Sequence, residues 1–217
     1  MDMSVVYNNA PLLWYGVLYT LYYTLITVTG GLVLGLVVGL IQFSRYKALV
    51  FLGWLFVEFF RNIPLLVILL WTYYALPIFL NINIDKGIAG FLALTCYGAA
   101  FYAEILRAGI QSIDVGQSDA AVALGMSYGQ RMRRIILPQA FRRMIPPLVG
   151  QSIMQMKNTS LLSTITVPDL LYQAGYISSF TYKPMEVYTA VGILFLIMLV
   201  PLTVLSRMLE RRQSAVK

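Results

Sequence analysis

Two cations stand inside apolar stretches of the sequence: Arg61, within about residues 50–80, and Lys157, within about residues 145–171. A cation in hydrocarbon costs several kcal/mol, so each must face a water-filled path or a counter-charge. On a path they would receive a carboxylate, with Asn158, Thr159 and Ser160 adding neutral hydrogen bonds beside Lys157. The structural alternative pairs Arg61 with Glu58, three residues back on the same helical face, and leaves Lys157 capped by backbone carbonyls or snorkelling to the interface. The nearness of Glu58 favours the ion pair for Arg61. No acid lies within one turn of Lys157, which favours the cavity there. Glu104 and Arg107, also three apart, read as a second structural ion pair.

Bond-making chemistry is excluded more firmly. Histidine is absent and Cys96 is the one cysteine, which removes a disulfide framework, a His/Cys metal site and both Ser-His-Asp and Cys-His nucleophiles. No Gly-x4-Gly-Lys-Ser/Thr occurs, so no loop cradles phosphate and the chain cannot hydrolyse ATP alone. The expectation is no catalytic, metal or cofactor-binding residue in this chain.

The elements that hold these residues follow from composition. Of 217 residues 59% are hydrophobic and 12% charged, about half the charged share of a soluble domain. A membrane helix needs roughly 20 apolar residues. Five segments qualify, at about 12–43, 50–80, 88–107, 145–171 and 187–205; the second is interrupted by Glu58, Arg61, Asn62 and Pro64, and the fourth is the most polar. The expected fold is an all-α integral membrane protein, one transmembrane domain over 1–217. Met1 to Ser4 carry no basic residue, so no cleavable signal is indicated and the first span is retained.

The net charge of +7 then has a topological use. With the N-terminus outside, the inner segments hold Arg45, Lys47, Arg107, Arg131, Arg133, Arg134, Arg142, Arg143, Arg207, Arg211, Arg212 and Lys217, whereas the outer ones hold Lys86 and Lys183. Twelve against two places the N-terminus outside and the C-terminus in the cytoplasm. Gly31, Gly35 and Gly39 recur every four residues on the first span, a close-packing stripe for either an intrachain contact or a subunit interface.

One inner segment, 108–143, is long. Asp114 with Gln117 and Ser127 with Gln130 are N-cap patterns opening two short helices. Gly125 stands where a C′ glycine belongs after the first, and Pro138 should disrupt the second. Its basic residues suit anionic lipid headgroups, or a groove in another protein.

Specific residues favour the second. Asp119-Ala120-Ala121, three residues, Gly125, nine residues, then Ile135-Ile136-Leu137-Pro138 resembles the EAA signature of ABC importer permeases, with Asp119 where that signature has Glu. Tyr102 to Ile110, Phe60 to Leu66 and Lys157 to Leu162 are similar to the polar amino acid permeases of the histidine, glutamine, arginine and glutamate/aspartate type, and the likeness covers about 12–212.

This resemblance implies a type I ABC importer permease fold. It also implies a second permease chain, identical or similar, two cytoplasmic ABC ATPases carrying ATP and Mg, and an extracytoplasmic amino-acid-binding protein. The setting is the bilayer of the bacterial plasma (inner) membrane, with no nucleic acid. Asp119, Ala120, Ala121, Gly125, Ile135, Leu137 and Pro138 would form the ATPase-coupling element, and the central path would take the carboxylate of an amino acid. Cationic residues on that path favour acidic or neutral polar amino acids. The alternative is an ATP-independent channel or secondary carrier for small polar solutes, against which the long loop argues.

Overall fold

The structure, a computed structural model, describes residues 3–214, with side chains as far as Met208. Lys217 therefore lies outside the described residues, as do the side chains of Arg211 and Arg212. The described chain is all-helical: α1 (Ser4–Asn8), α2 (Ala10–Ile41), α3 (Lys47–Asn62), α4 (Leu65–Leu70), α5 (Leu76–Leu80), α6 (Lys86–Gln111), α7 (Val115–Ala123), α8 (Tyr128–Arg131), α9 (Leu137–Asn158), α10 (Leu170–Thr181) and α11 (Pro184–Ser214).

Three of these helices are long and apolar enough to cross a membrane: α2, α6 and α11. The expected second span is broken. Pro64 has no N–H to donate and forces the residue before it out of the helical region. Ile63 accordingly adopts φ −97°, ψ 132°, and the chain turns by 104° between α3 and the α4–α5 segment. The fourth segment differs most from its expected bounds of 145–171. α9 begins earlier, at Leu137, and ends at Asn158, beyond which a 3₁₀ helix (Thr159–Ile165) and a left-handed Thr166 reverse the chain into α10. Asp169 caps α10, its Oδ1 accepting the Tyr172 N–H at 2.8 Å.

Two π-helical turns have one cause. Trp71–Ala75 ends two residues before Pro77, and Met132–Ile136 two residues before Pro138. Each proline withholds the N–H that an α-helix would give to the carbonyl four residues back, and the wider turn shifts the register past that gap. Pro138 does not end the helix opened at Ser127, as its sequence position suggests. It stands in the first turn of α9, where the missing donor costs little.

α6 is the axis of the bundle. It packs on α2, α3, α4 and α9 through a nearly continuous small-residue surface: Ala89, Gly90, Ala93, Gly98, Ala99, Ala100, Ala103 and Gly109 are all buried. The glycine stripe of α2 meets it. Gly31 and Gly35 face Tyr102 and Ala99, and Gly39 faces Leu106 and Ala103, which makes the stripe an intrachain seam. On the opposite side Gly98 admits Gln155 of α9, whose Nε2 donates to the Leu94 carbonyl at 2.8 Å, and the Tyr102 and Ser152 hydroxyls meet at 3.0 Å.

A methyl group added at Gly35 would stand 2.7 Å from Tyr102 Cβ and 2.8 Å from the Ala99 carbonyl oxygen, neither of which can move without parting the helices. Gly35→Ala is expected to destabilise the chain by about 1–3 kcal/mol. Gly175→Ala, whose nearest neighbour is a Tyr188 hydroxyl at 3.8 Å, should leave the melting temperature in detergent unchanged or slightly raised. Equal melting of the two variants would contradict the seam.

Candidate coupling helix and intramembrane polar site

The signature residues lie on a short platform outside the bundle. Asp114 Oδ1 accepts the Gly116 N–H at 2.7 Å and starts α7. α7 stops through a Schellman arrangement: the Gly125 N–H donates to Val122 O at 2.9 Å and the Met126 N–H to Ala121 O at 3.0 Å. This closure requires a left-handed residue, and Gly125 supplies it at φ +74°. Two residues later the Ser127 hydroxyl accepts from the Gln130 N–H while the Gln130 side chain accepts from the Ser127 N–H, the reciprocal capping box read from the sequence.

Packing makes the platform rigid. Ile113, Ile136, Ala140 and Met144 form a cluster backed by Ile105, Leu106 and Ile110 of α6. The Arg143 guanidinium donates to the Ser112 carbonyl, joining α9 to the C-terminal end of α6. Ala121 is fully buried against this base. Asp119 and Ala120 are exposed, as are Val115, Val122, Leu124 at 80% and Tyr128. Ile135 and Pro138 line a small groove with Gln117, Arg134, Gln139 and Arg142, and Leu137 is exposed. A helix thus presents an apolar face with one carboxylate on it, a surface suited to a groove in another protein.

The polar residues of the second and fourth apolar segments separate into two places. Arg61 does not pair with Glu58. The Glu58 carboxylate is taken by Asn62 Nδ2 at 2.8 Å, and Arg61 instead reaches Glu104 at 3.7 Å with its guanidinium 5.6 Å from the Phe101 ring centre. Glu104 also accepts from Arg107 Nε at 3.0 Å, and Arg107 Nη1 donates to Gln111 at 2.7 Å. The expected Glu104–Arg107 pair is therefore present, widened to a cluster by Arg61. The Arg61 partner lies on another helix, which spacing along the chain does not show.

Lys157 is exposed at the end of α9, with Asn158 half-buried beside it. Thr159 is fully buried and donates to Met156 O at 2.7 Å, and Ser160 donates to Lys157 O at 2.8 Å. Both hydroxyls donate within the 3₁₀ turn; Thr159 is enclosed, whereas Ser160, like Asn158, is half-buried beside the exposed Lys157. Sequence reasoning missed Gln155, fully buried with its Oε1 lacking a partner, and Lys86, whose Nζ donates to the Thr166 carbonyl at 2.8 Å. A lone amide in an apolar segment was the available signal for Gln155. Lys86 carried none, since its partner lies eighty residues away.

Comparison with known proteins decides the family. The profile of the binding-protein-dependent transport system inner membrane component matches residues 31–215. The chain belongs to this family. It is 41% identical over 212 residues to the Probable glutamine ABC transporter permease protein GlnM of Bacillus subtilis (strain 168), covering 98% of each chain. It is 35% identical over 220 residues to the Glutamate/aspartate import permease protein GltK of Escherichia coli O157:H7, again covering 98% of each. Among solved structures, an amino acid ABC transporter with histidines superposes with a TM-score of 0.93 at 35% identity, over 98% of this chain and 99% of that one. An inward-facing MetNI methionine ABC transporter shares the fold, with a TM-score of 0.75 at 24% identity over 92% and 95% of the two chains. The chain is an inner membrane transport component of all-helical, multi-pass architecture.

The Gly125 closure yields a local test. Gly125→Ala places a Cβ on a left-handed residue at a cost of about 1–2 kcal/mol, whereas Gly125→Asn tolerates that conformation better. Amide exchange over 115–131 should quicken roughly five- to thirtyfold in the Ala variant and less in the Asn variant, with α6 unaffected. Identical exchange in all three proteins would refute the closure.

Proposed function

We propose that this chain is the membrane-spanning subunit of an ATP-driven importer for polar amino acids, acidic or neutral polar ones favoured, delivered by an extracytoplasmic binding protein. Five spans complete the topology: α2, the broken α3–α5 segment, α6, α9 and α11, with the N-terminus outside and α7 in the cytoplasm of a bacterium. Support comes from the family, from relatives named for glutamine and for glutamate/aspartate, and from the distribution of basic residues.

The observation that carries the reading is the exposed, capped α7 on its rigid base. It is a convex helix with an apolar tip and no enzymatic side chain, suited to sit in a partner that does the hydrolysis. Two such chains, identical or similar, would enclose the path, each α7 seated in one ABC ATPase that binds ATP and Mg. Nucleotide-driven closure of the ATPases moves α7 as a body. The Ile136–Met144 cluster and the Arg143–Ser112 bond pass that displacement to α6 and α9. ATP-bound and ATP-free ATPases bind different arrangements of the pair, and that differential binding drives the shift from inward- to outward-facing.

Within the path, Lys157 receives the substrate carboxylate and Asn158 offers a neutral partner. Arg61 is assigned to the Glu104–Arg107 cluster, where both of its neighbours hold it. The preference for acidic or neutral substrates therefore rests on Lys157.

Uptake into proteoliposomes holding the reconstituted complex tests this reading. Glutamine, glutamate or a similar polar amino acid should compete for uptake better than lysine, and transport should require ATP and the partner ATPase. Lys157→Gln should raise KM about ten- to a hundredfold, the loss of one charge-assisted hydrogen bond. Uptake by the purified permease without an ATPase would overturn the proposal, and lysine as the best competitor would overturn the substrate preference.

A further inference from the structure

A cavity of about 730 Å³ opens between the C-terminal end of α2, the helix α3 and the C-terminal half of α6. Its volume lies within the roughly 300–1,000 Å³ range of ligand clefts. The floor is the Arg61–Glu104–Arg107 cluster with Gln111, whose charged groups are already engaged with one another. The rim is different. Arg45 and Lys47 line the cavity, both are exposed, and among the described residues neither meets a carboxylate at ion-pair distance. Four cations face two carboxylates around the cavity, so it carries a net positive charge.

The other wall is apolar. Phe51 and Trp54 line it from α3, their rings 5.8 Å apart, and both stand at least half open, at 57% and 50% exposure. A site for a soluble anion would enclose its ligand in polar groups. A wall of cations meeting a wall of open aromatic rings instead matches a ligand with one anionic end and one hydrocarbon end.

With α2 as a membrane span, helix length places the cavity toward a bilayer surface. α2 has 32 residues, about 48 Å of helix against a hydrocarbon core of about 30 Å, and the chain turns directly after it through Gln42 to Tyr46. Arg45 and Lys47 are also the first basic residues of the sequence. A helix that spans the core with this length to spare ends at or beyond the core boundary, so Arg45 and Lys47, which follow it directly, stand in the headgroup region or outside it. Basic pockets between membrane helices at that level attract anionic headgroups.

We propose that this cavity binds one anionic phospholipid. Its phosphodiester is held by Arg45 and Lys47, and its acyl chains lie against Phe51 and Trp54. The occupied cavity packs α3 against α6 at the Arg61–Glu104 cluster. The site is separate from Lys157 and Asn158, and it stands whichever solute the protein carries.

The test uses the intact transporter complex, delipidated in detergent and titrated with dioleoylphosphatidylglycerol or dioleoylphosphatidylcholine, with bound lipid counted by native mass spectrometry. The expected result is selective retention of phosphatidylglycerol, one per permease chain. Arg45→Gln with Lys47→Gln should lower that affinity about twenty-fivefold, two surface cations at roughly fivefold each. Arg45→Lys with Lys47→Arg should retain it, and excess inorganic phosphate should not displace the lipid. Undiminished phosphatidylglycerol retention in the Gln variant would overturn the proposal, and displacement by inorganic phosphate alone would make this a soluble-anion site instead. If the Gln variant does not assemble, Trp54 fluorescence with Trp14 and Trp71 replaced by Phe decides the question. Saturable quenching by brominated phosphatidylglycerol and not by brominated phosphatidylcholine upholds the site, and equal quenching by both rejects it.

Discussion

The small-residue surface of α6 is the constraint on which the rest of this structure depends. In a bilayer, lipid tails are as apolar as leucine, so helices associate by close van der Waals packing and by the few hydrogen bonds that closeness permits. α6 supplies that closeness on two sides. Ala99 and Ala103 receive the α2 glycines, and Gly98 receives the Gln155 side chain from α9, whose amide then reaches the Leu94 carbonyl. With α2 and α9 held on this axis, the 3₁₀ turn after α9 tucks Leu162 over Gly90 and against the Leu69–Leu94 core, and α10 returns to α2 with Leu170 and Gln173 over Gly16. Larger residues along α6 would push these elements apart together.

That same axis runs into the platform that bears α7. The Ile113, Ile136 and Met144 cluster is continuous with Ile105 and Leu106 of α6, and Gly109 lets the Met144 side chain lie against the helix. A packed cluster of this kind transmits displacement because its members have no space to rearrange independently. The two π turns play a complementary part. Each moves the backbone register past a proline, and the second aligns the helix opened at Ser127 with α9 instead of letting the chain break between them. The helix opened at Ser127 and α9 are thus one mechanical element.

Much of this was legible in the sequence wherever the signal was local. The caps at Asp114 and Ser127 and the left-handed glycine at 125 follow from short-range hydrogen-bonding rules, and each is present. The break in the second apolar segment at Pro64 was legible for the same reason. What depended on contacts between helices was not. Arg61 lies three residues from Glu58, yet its carboxylate partner is Glu104, forty-three residues on, because the α3–α6 crossing brings those two side chains together and Asn62 occupies Glu58. The polar run after Lys157 read as one chemical unit, but a 3₁₀ turn consumes the Thr159 and Ser160 hydroxyls as local donors. Pro138 read as a helix end because a π turn has no distinct sequence signature.

The proposed coupling of hydrolysis to transport requires that α7 move with the bundle it is packed against. The most direct measurement is ATP hydrolysis by the reconstituted complex, with and without loaded binding protein, for the chain carrying Leu124→Asp at the exposed tip of the platform. Leu124 is 80% exposed, so the substitution should leave the fold intact. We expect the binding protein's stimulation of hydrolysis to be lost while basal hydrolysis persists. Full stimulation in the Leu124→Asp complex would contradict the assigned role of this helix.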